Sequence, residues 1–402
     1  MPARWAPGIA PIHTVFVGAV AVPVNYAVLH WARTSLGIDL AEAAARVDLS
    51  EDEVAAWEKG ADLPPLGPLR ELARLYRRPV ATFLLPEVPR NPPRPADLRA
   101  AHGVSPGVLS KKVLLAIDRA FHLRAIAGEL DRDEPDLGAR VDSVRTSPWD
   151  AAVIERRHLS IDVDHQFAWK SSRQAFETWR RALESRGALV FTASMPPKEV
   201  RAFSISGSDG PPAIVLGSAD SDTAKCFSLF HELAHVLMGS GGICLPHEGP
   251  SRRALPTVEV WCNRFAGAVL VPSDSLKSLP AAAALGRESA MPSDAAIEAI
   301  AARYRVSKQV LWYRLRDLEM ITMTRFAAKW AAWADWTPPK GRGRTPPVGP
   351  RTLNRRGTRF TGLVIDGLAL ERVTTNDVLE SLSVRLGDLD AVEAELRRRT
   401  FG

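Results

Sequence analysis

Residues 227–239 read FSLFHELAHVLMG, and the rest of the chain is understood from this stretch. In an α-helix two residues four apart lie one turn above each other, so the imidazoles of His231 and His235 can close on a single ion. Glu232 sits about 100° around the helix from His231. There it can hold a water on the same ion without ligating it, which is the place of a general base. Phe227, Leu229, Phe230, Leu233, Val236, Leu237 and Met238 make the helix apolar almost all round, as for a helix sunk in a core. Two histidines and a carboxylate are costly to bury unpaired, and coordination to Zn²⁺ offsets that cost.

A catalytic zinc takes three protein ligands and keeps one position open. The third candidate lies in PTVEVWCNRFAGAVLVP, residues 256–272, a second helical pattern carrying one acid, Glu259, among Val260, Phe265, Val269 and Leu270. Taken alone, Glu259 reads equally as an exposed first-turn glutamate favoured by the helix dipole.

The two stretches together resemble the ImmA/IrrE metallopeptidases, in which a phenylalanine-led HExxH helix precedes a Glu, two residues, a small residue, Asn, any residue, Phe and Ala. Here those positions are Glu259, Cys262, Asn263, Phe265 and Ala266, with Cys at the small position. The resemblance implies His231, His235 and Glu259 as zinc ligands and Glu232 as catalyst, with Mn²⁺ as an alternative for a two-His, one-carboxylate set. It also implies a zincin-like endopeptidase whose substrate is a specific regulatory protein such as a transcriptional repressor.

Composition bounds the rest. A chain of 402 residues, 46% hydrophobic and 24% charged, is ordinary globular usage, with room for several domains. A net charge of +6 permits an acidic partner without demanding one. Cys226, Cys244 and Cys262 form no CxxC pair and are odd in number, which points to a reducing, cytoplasmic setting and away from a disulfide framework or a thiolate zinc site. Residues 1–19 read as a disordered or over-extended start. The apolar run from Val15 to Leu29 is broken by Pro23 and Asn25 and is too short to span a membrane.

The expected fold class is α+β and mostly helical. Residues 20–85 read as compact helices, with LAEAAARVDLSEDEVAAWEKG resembling the helix-turn-helix of phage Cro and repressor proteins; Ser50 caps the third helix and Glu53 completes the capping box. That helix leads with Ser50, Glu51, Asp52 and Glu53, so phosphate contact would fall to Lys59 and Arg46, and DNA binding and protein docking both stay open. Residues 86–160 read as a proline-rich linker and a helical connector. Residues 161–330 make the peptidase domain, with a helix from Phe167 to Gly187 and a small antiparallel sheet from Ala188–Ala193, Val200–Ile205 and Ala213–Leu216. A sheet edge there suits an extended peptide.

His247, in the loop between the two ligand helices, is a candidate transition-state stabiliser, and Tyr304 competes for that role. AAIEAIAARYRVSKQVLWYRLRDLEMI resembles a second helix-turn-helix, suited to packing or, through Lys308, Arg314 and Arg316, to nucleic acid. Residues 331–402 read as a flexible basic linker, free of acids between Asp335 and Asp366, and a C-terminal helical segment. A reading of a different class makes the chain a non-proteolytic DNA-binding regulator, or an antitoxin-like partner of a neighbouring toxin. No membrane partner is expected.

Overall fold

The structure is a computed structural model that describes residues 21–89, 109–131, 137, 141–143, 145–207, 210–239, 243–244, 257–287, 291–333 and 345–401. The chain divides into two units, Met1–Asn91 and Pro92–Gly402. The start expected to be disordered, residues 1–19, lies outside the described residues, as do Pro92, Pro93 and Pro95 of the proline-rich linker.

The first unit holds α1 (Tyr26–Thr34), α2 (Leu40–Val47), α3 (Glu51–Glu58) and α4 (Leu66–Tyr76), followed by a 3₁₀ turn at Val80–Leu84. Asp39 caps α2 by accepting from the Glu42 N–H, and Asp48 then takes a left-handed φ of 57° that turns the chain. Ser50 and Glu53 form the reciprocal capping box read from the sequence. Val28, Leu29, Ala43, Val54, Leu69, Leu72, Tyr76 and Phe83 are buried at its centre. Beside them the Arg33 Nε donates to Glu58 across 2.7 Å, a charge pair that satisfies what burial would otherwise strand.

In the second unit α5 (Lys111–Leu130), α6 (Pro148–His158), α7 (Val163–Ala168) and α8 (Ser172–Glu184) lead into β1 (Leu189–Ala193), β2 (Ala202–Ile205) and β3 (Ala213–Gly217). After α9 (Asp222–Leu237) come a two-residue β4 (Ile243–Cys244) and α10 (Thr257–Leu270). Then follow α11 (Ser273–Ser278), α12 (Pro280–Arg287), α13 (Asp294–Tyr304), α14 (Lys308–Asp317) and α15 (Met323–Ala332). The chain closes with α16 (Val348–Arg356), α17 (Thr358–Ala369), α18 (Thr375–Leu382) and α19 (Leu389–Phe401). The fold is α+β and mostly helical, as the sequence indicates. No helix of the described residues is long and apolar enough to cross a membrane.

Three details differ from the sequence reading. The sheet is mixed, not antiparallel: its order is β1-β3-β2-β4, and β1 pairs parallel with β3 in the register Leu189↔Ala213 to Ala193↔Gly217. β3 is buried along its whole length, so it takes the centre of the sheet, with antiparallel β2 on its other side. The helix expected from Phe167 to Gly187 is broken at Trp169, whose extended ψ of 134° ends α7 before Ser171 caps α8. The basic linker is structured over much of its length: residues 334–344 lie outside the described residues, but Arg351, Arg355, Arg356 and Arg359 sit on α16 and α17. Two of them have partners there: Arg356 donates to the Ser381 carbonyl and Arg359 to Asp131.

The sheet separates two apolar layers. One face, through Val190, Ala202, Ile214 and Leu216, packs on α8, α9 and α10 with Trp179, Phe230 and Phe265. The other, through Leu189, Phe191, Phe203 and Val215, packs on α5 and the C-terminal helices with Phe360, Val364 and Val392. A strand buried on both faces needs an unbroken apolar run, which is what AIVLG supplies; β2, AFSI, is buried as well but carries the polar Ser204.

Candidate metal centre

The first ligand helix is placed by its ends and its back. Ser221 caps α9, accepting from the Ala224 N–H. Behind the helix Phe230 meets the Trp179 indole edge to face at 5.0 Å, and Trp179 meets Trp169 in the same way at 5.2 Å. This packing fixes the rotation of α9, so His231, Glu232 and His235 all lie below 2% exposed. The second ligand helix, α10, packs along α9 through Cys262, Phe265 and Ala266.

Glu259 points into the pair of rings. One carboxylate oxygen is 3.3 Å from His231 Nε2 and the other 3.3 Å from His235 Nε2, while the two Nε2 atoms are themselves 3.3 Å apart. Ligands bonded at 2.0–2.1 Å to a tetrahedral zinc stand about 3.3–3.4 Å from one another. The three donor groups are therefore spaced as that ion would require, and the donor set is one that zinc accepts.

Charge in the site is arranged accordingly. Burial drives the Glu259 carboxyl upward, but hydrogen bonds from His231 and His235 outweigh it and hold the group well below the usual carboxylate range. Burial lowers the His235 imidazole, yet its contacts with Cys262 and Glu259 prevail and push it up to about 11. Glu232 is raised, chiefly by burial, with the two histidines and the Ser204 hydroxyl opposing. Among the described residues neither of its carboxylate oxygens has a hydrogen-bond partner of good geometry. A buried acid held ready beside a cationic site is a common arrangement for a general base.

Two neighbours were not picked out for roles by the sequence reading. Asn263, one helical turn after Glu259, accepts at Oδ1 from His231 Nδ1 at 3.1 Å, which directs the Nε2 lone pair inward. The i, i+4 spacing from Glu259 was the signal for it. Ser204 on β2 had no such signal, because only the fold brings that strand against α9. The remaining candidates divide. His247 lies outside the described residues. Tyr304 is fully buried with its hydroxyl 2.7 Å from Ser275 Oγ. Arg314 is buried against the Val271 carbonyl and Ser273, and Lys308 pairs with Asp294, so both are used in packing. In the first unit Ser50 is engaged in its capping box, Arg46 pairs with Glu71 at 2.7 Å, and Lys59 is exposed at the end of α3.

Residues 183–316 match the family model Peptidase_M78, described as the IrrE N-terminal-like domain. The match runs from the end of α8 through the sheet, α9 and α10 to α14, and so contains the whole cluster. Neither a curated protein nor a solved structure matches the chain.

Proposed function

Since residues 183–316 form a metallopeptidase domain of the ImmA/IrrE type, we propose that the chain is a zinc-dependent endopeptidase that cleaves a specific regulatory protein. His231, His235 and Glu259 would hold the ion, with Mn²⁺ as the alternative. When bound, the ion supplies Lewis acidity to a water and to the scissile carbonyl. Glu232 takes the proton of the attacking water and returns it to the leaving amine. Burial raises its proton affinity above that of an ordinary carboxylate, which favours its accepting a proton. Asn263 keeps the His231 ring in the tautomer that presents Nε2.

Among the described residues, the outer side of β2 is paired with β4 at Ala202 and Phe203 alone. An extended substrate segment laid along the rest of that strand would pass Ser204 and so run close to Glu232. The substrate proposed is a transcriptional repressor, or another regulatory protein, in the cytoplasm. The first unit would bring the enzyme to that target or to its operator DNA, and a toxin encoded alongside is a further candidate partner. The observation that carries the peptidase reading over a non-proteolytic regulator is Glu232: a site that only bound an ion would have no use for a buried acid outside the ligand set.

Co-expression with the proteins encoded beside it tests this. The wild type should truncate one neighbour, and Glu232→Gln should leave it intact, with cleavage reduced on the order of 10²–10⁴-fold. If both forms bind one neighbour tightly and cut none, the chain is a regulator.

A further inference from the structure

The sequence reading set the three thiols aside as metal ligands, and the structure brings one of them back. Cys262 lies three residues after Glu259 on α10, on the same side of the helix. It is fully buried, and its Sγ and one ring nitrogen each of His231 and His235 all lie within 4.8 Å of one another. Two imidazoles and a thiol thus fall within one metal-sized envelope, and the Glu259 carboxylate reaches the Nε2 atoms of both rings at 3.3 Å, so a thiol stands beside the three donors that the peptidase reading uses.

We propose that Cys262 is a fourth protein ligand of the metal and that its sulfur closes the resting site. This rests on the metal-centre reading above and adds a ligand to it. Bonds of about 2.3 Å to sulfur and 2.0–2.1 Å to nitrogen place the two atoms about 3.6 Å apart around zinc, so the sulfur has at most about 1.2 Å to close from the observed envelope. Thiolate is a favoured zinc donor, and a four-donor tetrahedral set is the pattern of closed sites, with no position left for a water or a carbonyl oxygen. With the sulfur in that position the site would be closed, and Glu232 would have a reaction to serve only with the sulfur withdrawn. The motif position filled here by Cys262 therefore adds a restraint on the peptidase that a residue without a donor atom could not.

Cobalt(II) reports this directly, because a thiolate ligand adds an intense sulfur-to-cobalt charge-transfer band in the near ultraviolet to the visible bands of a tetrahedral site. The full-length protein is stripped of metal, kept reduced with a phosphine, and loaded anaerobically with one equivalent of cobalt(II), alongside Cys262→Ser and Cys226→Ser. Cys226 is buried on α9, the helix that carries the two histidines, and serves as the control. The expected result is the charge-transfer band in wild type and Cys226→Ser, and its loss in Cys262→Ser with the visible bands and one bound cobalt retained. Visible bands without charge transfer in the wild type would overturn the proposal while leaving the peptidase reading intact. Persistence of the band in Cys262→Ser would overturn it as well, and absence of cobalt binding by the wild type would overturn both.

Discussion

At His235 burial and partnership pull in opposite directions, and partnership wins. The ring's preference for a proton, at about 11, means that the ion-free protein carries an imidazolium against the Glu259 carboxylate at any working pH. A metal ion must displace that proton. The raised value gives the sign: below about 11 the proton competes, so metal affinity falls as pH falls, by about tenfold per unit for each proton displaced. Calorimetric titration with zinc at pH 6, 7 and 8, in buffers of different ionisation enthalpy, should show this slope and the release of at least one proton; a pH-independent affinity would contradict it. The ligand residues were legible because HExxH carries its own geometry, and Glu259 was legible from its place in the downstream motif. The part played by Cys262 was not, because a thiol count can argue against a CxxC site but says nothing of one sulfur delivered by a second helix.

Among the elements, the turn from α16 into α17 is the most tightly specified. Gly357 has φ +81°, and a Cβ there would lie 2.1 Å from Glu184 Oε1 and 3.0 Å from both Arg180 Nη2 and the Val190 carbonyl. Glu184 needs that space, since it accepts from the Thr358 N–H at 2.9 Å and from Arg180 Nε at 2.9 Å. Gly357→Ala should therefore destabilise by about 2–4 kcal/mol, from backbone strain and from displacement of a buried ion pair. Gly362, within α17, meets nothing within 4 Å, so Gly362→Ala should stabilise by about 0.5–1 kcal/mol. Urea midpoints of the two variants should move in opposite directions; movement in the same direction would contradict the account. Most elements were legible from apolar period and caps, Ser50 with Glu53 being the clearest. Strand direction was not, because a run such as AIVLG tells of burial on both faces without naming the neighbour. That unbroken run was the available sign of a parallel pairing.

At the scale of the whole molecule the matched region is not a self-sufficient body. The face of the sheet turned from the metal site is covered by α5 and by α16 to α19, which lie outside residues 183–316. A chain ended after residue 333 keeps every candidate site residue and α5 but removes Phe360, Val364 and Val392 from the layer over Leu189, Phe191, Phe203 and Val215. It should bind a hydrophobic dye strongly and lose its cooperative unfolding transition; a monomer with native dichroism and a sharp transition would contradict this. Sequence alone left the C-terminal segment as an appendage because its arginines resemble a solvated run. Their use against Asp131, Glu395 and backbone carbonyls appears only once distant parts of the chain meet.

The claim beneath all of this is that His231, His235 and Glu259 hold one cation. Metal content after exhaustive dialysis tests it most directly, measured on the wild type, Glu232→Gln and a His235→Ala variant shown by circular dichroism to be folded. The account predicts one zinc or manganese per chain in the first two and loss from the third. No retained metal in the wild type, or equal metal in all three, would contradict it.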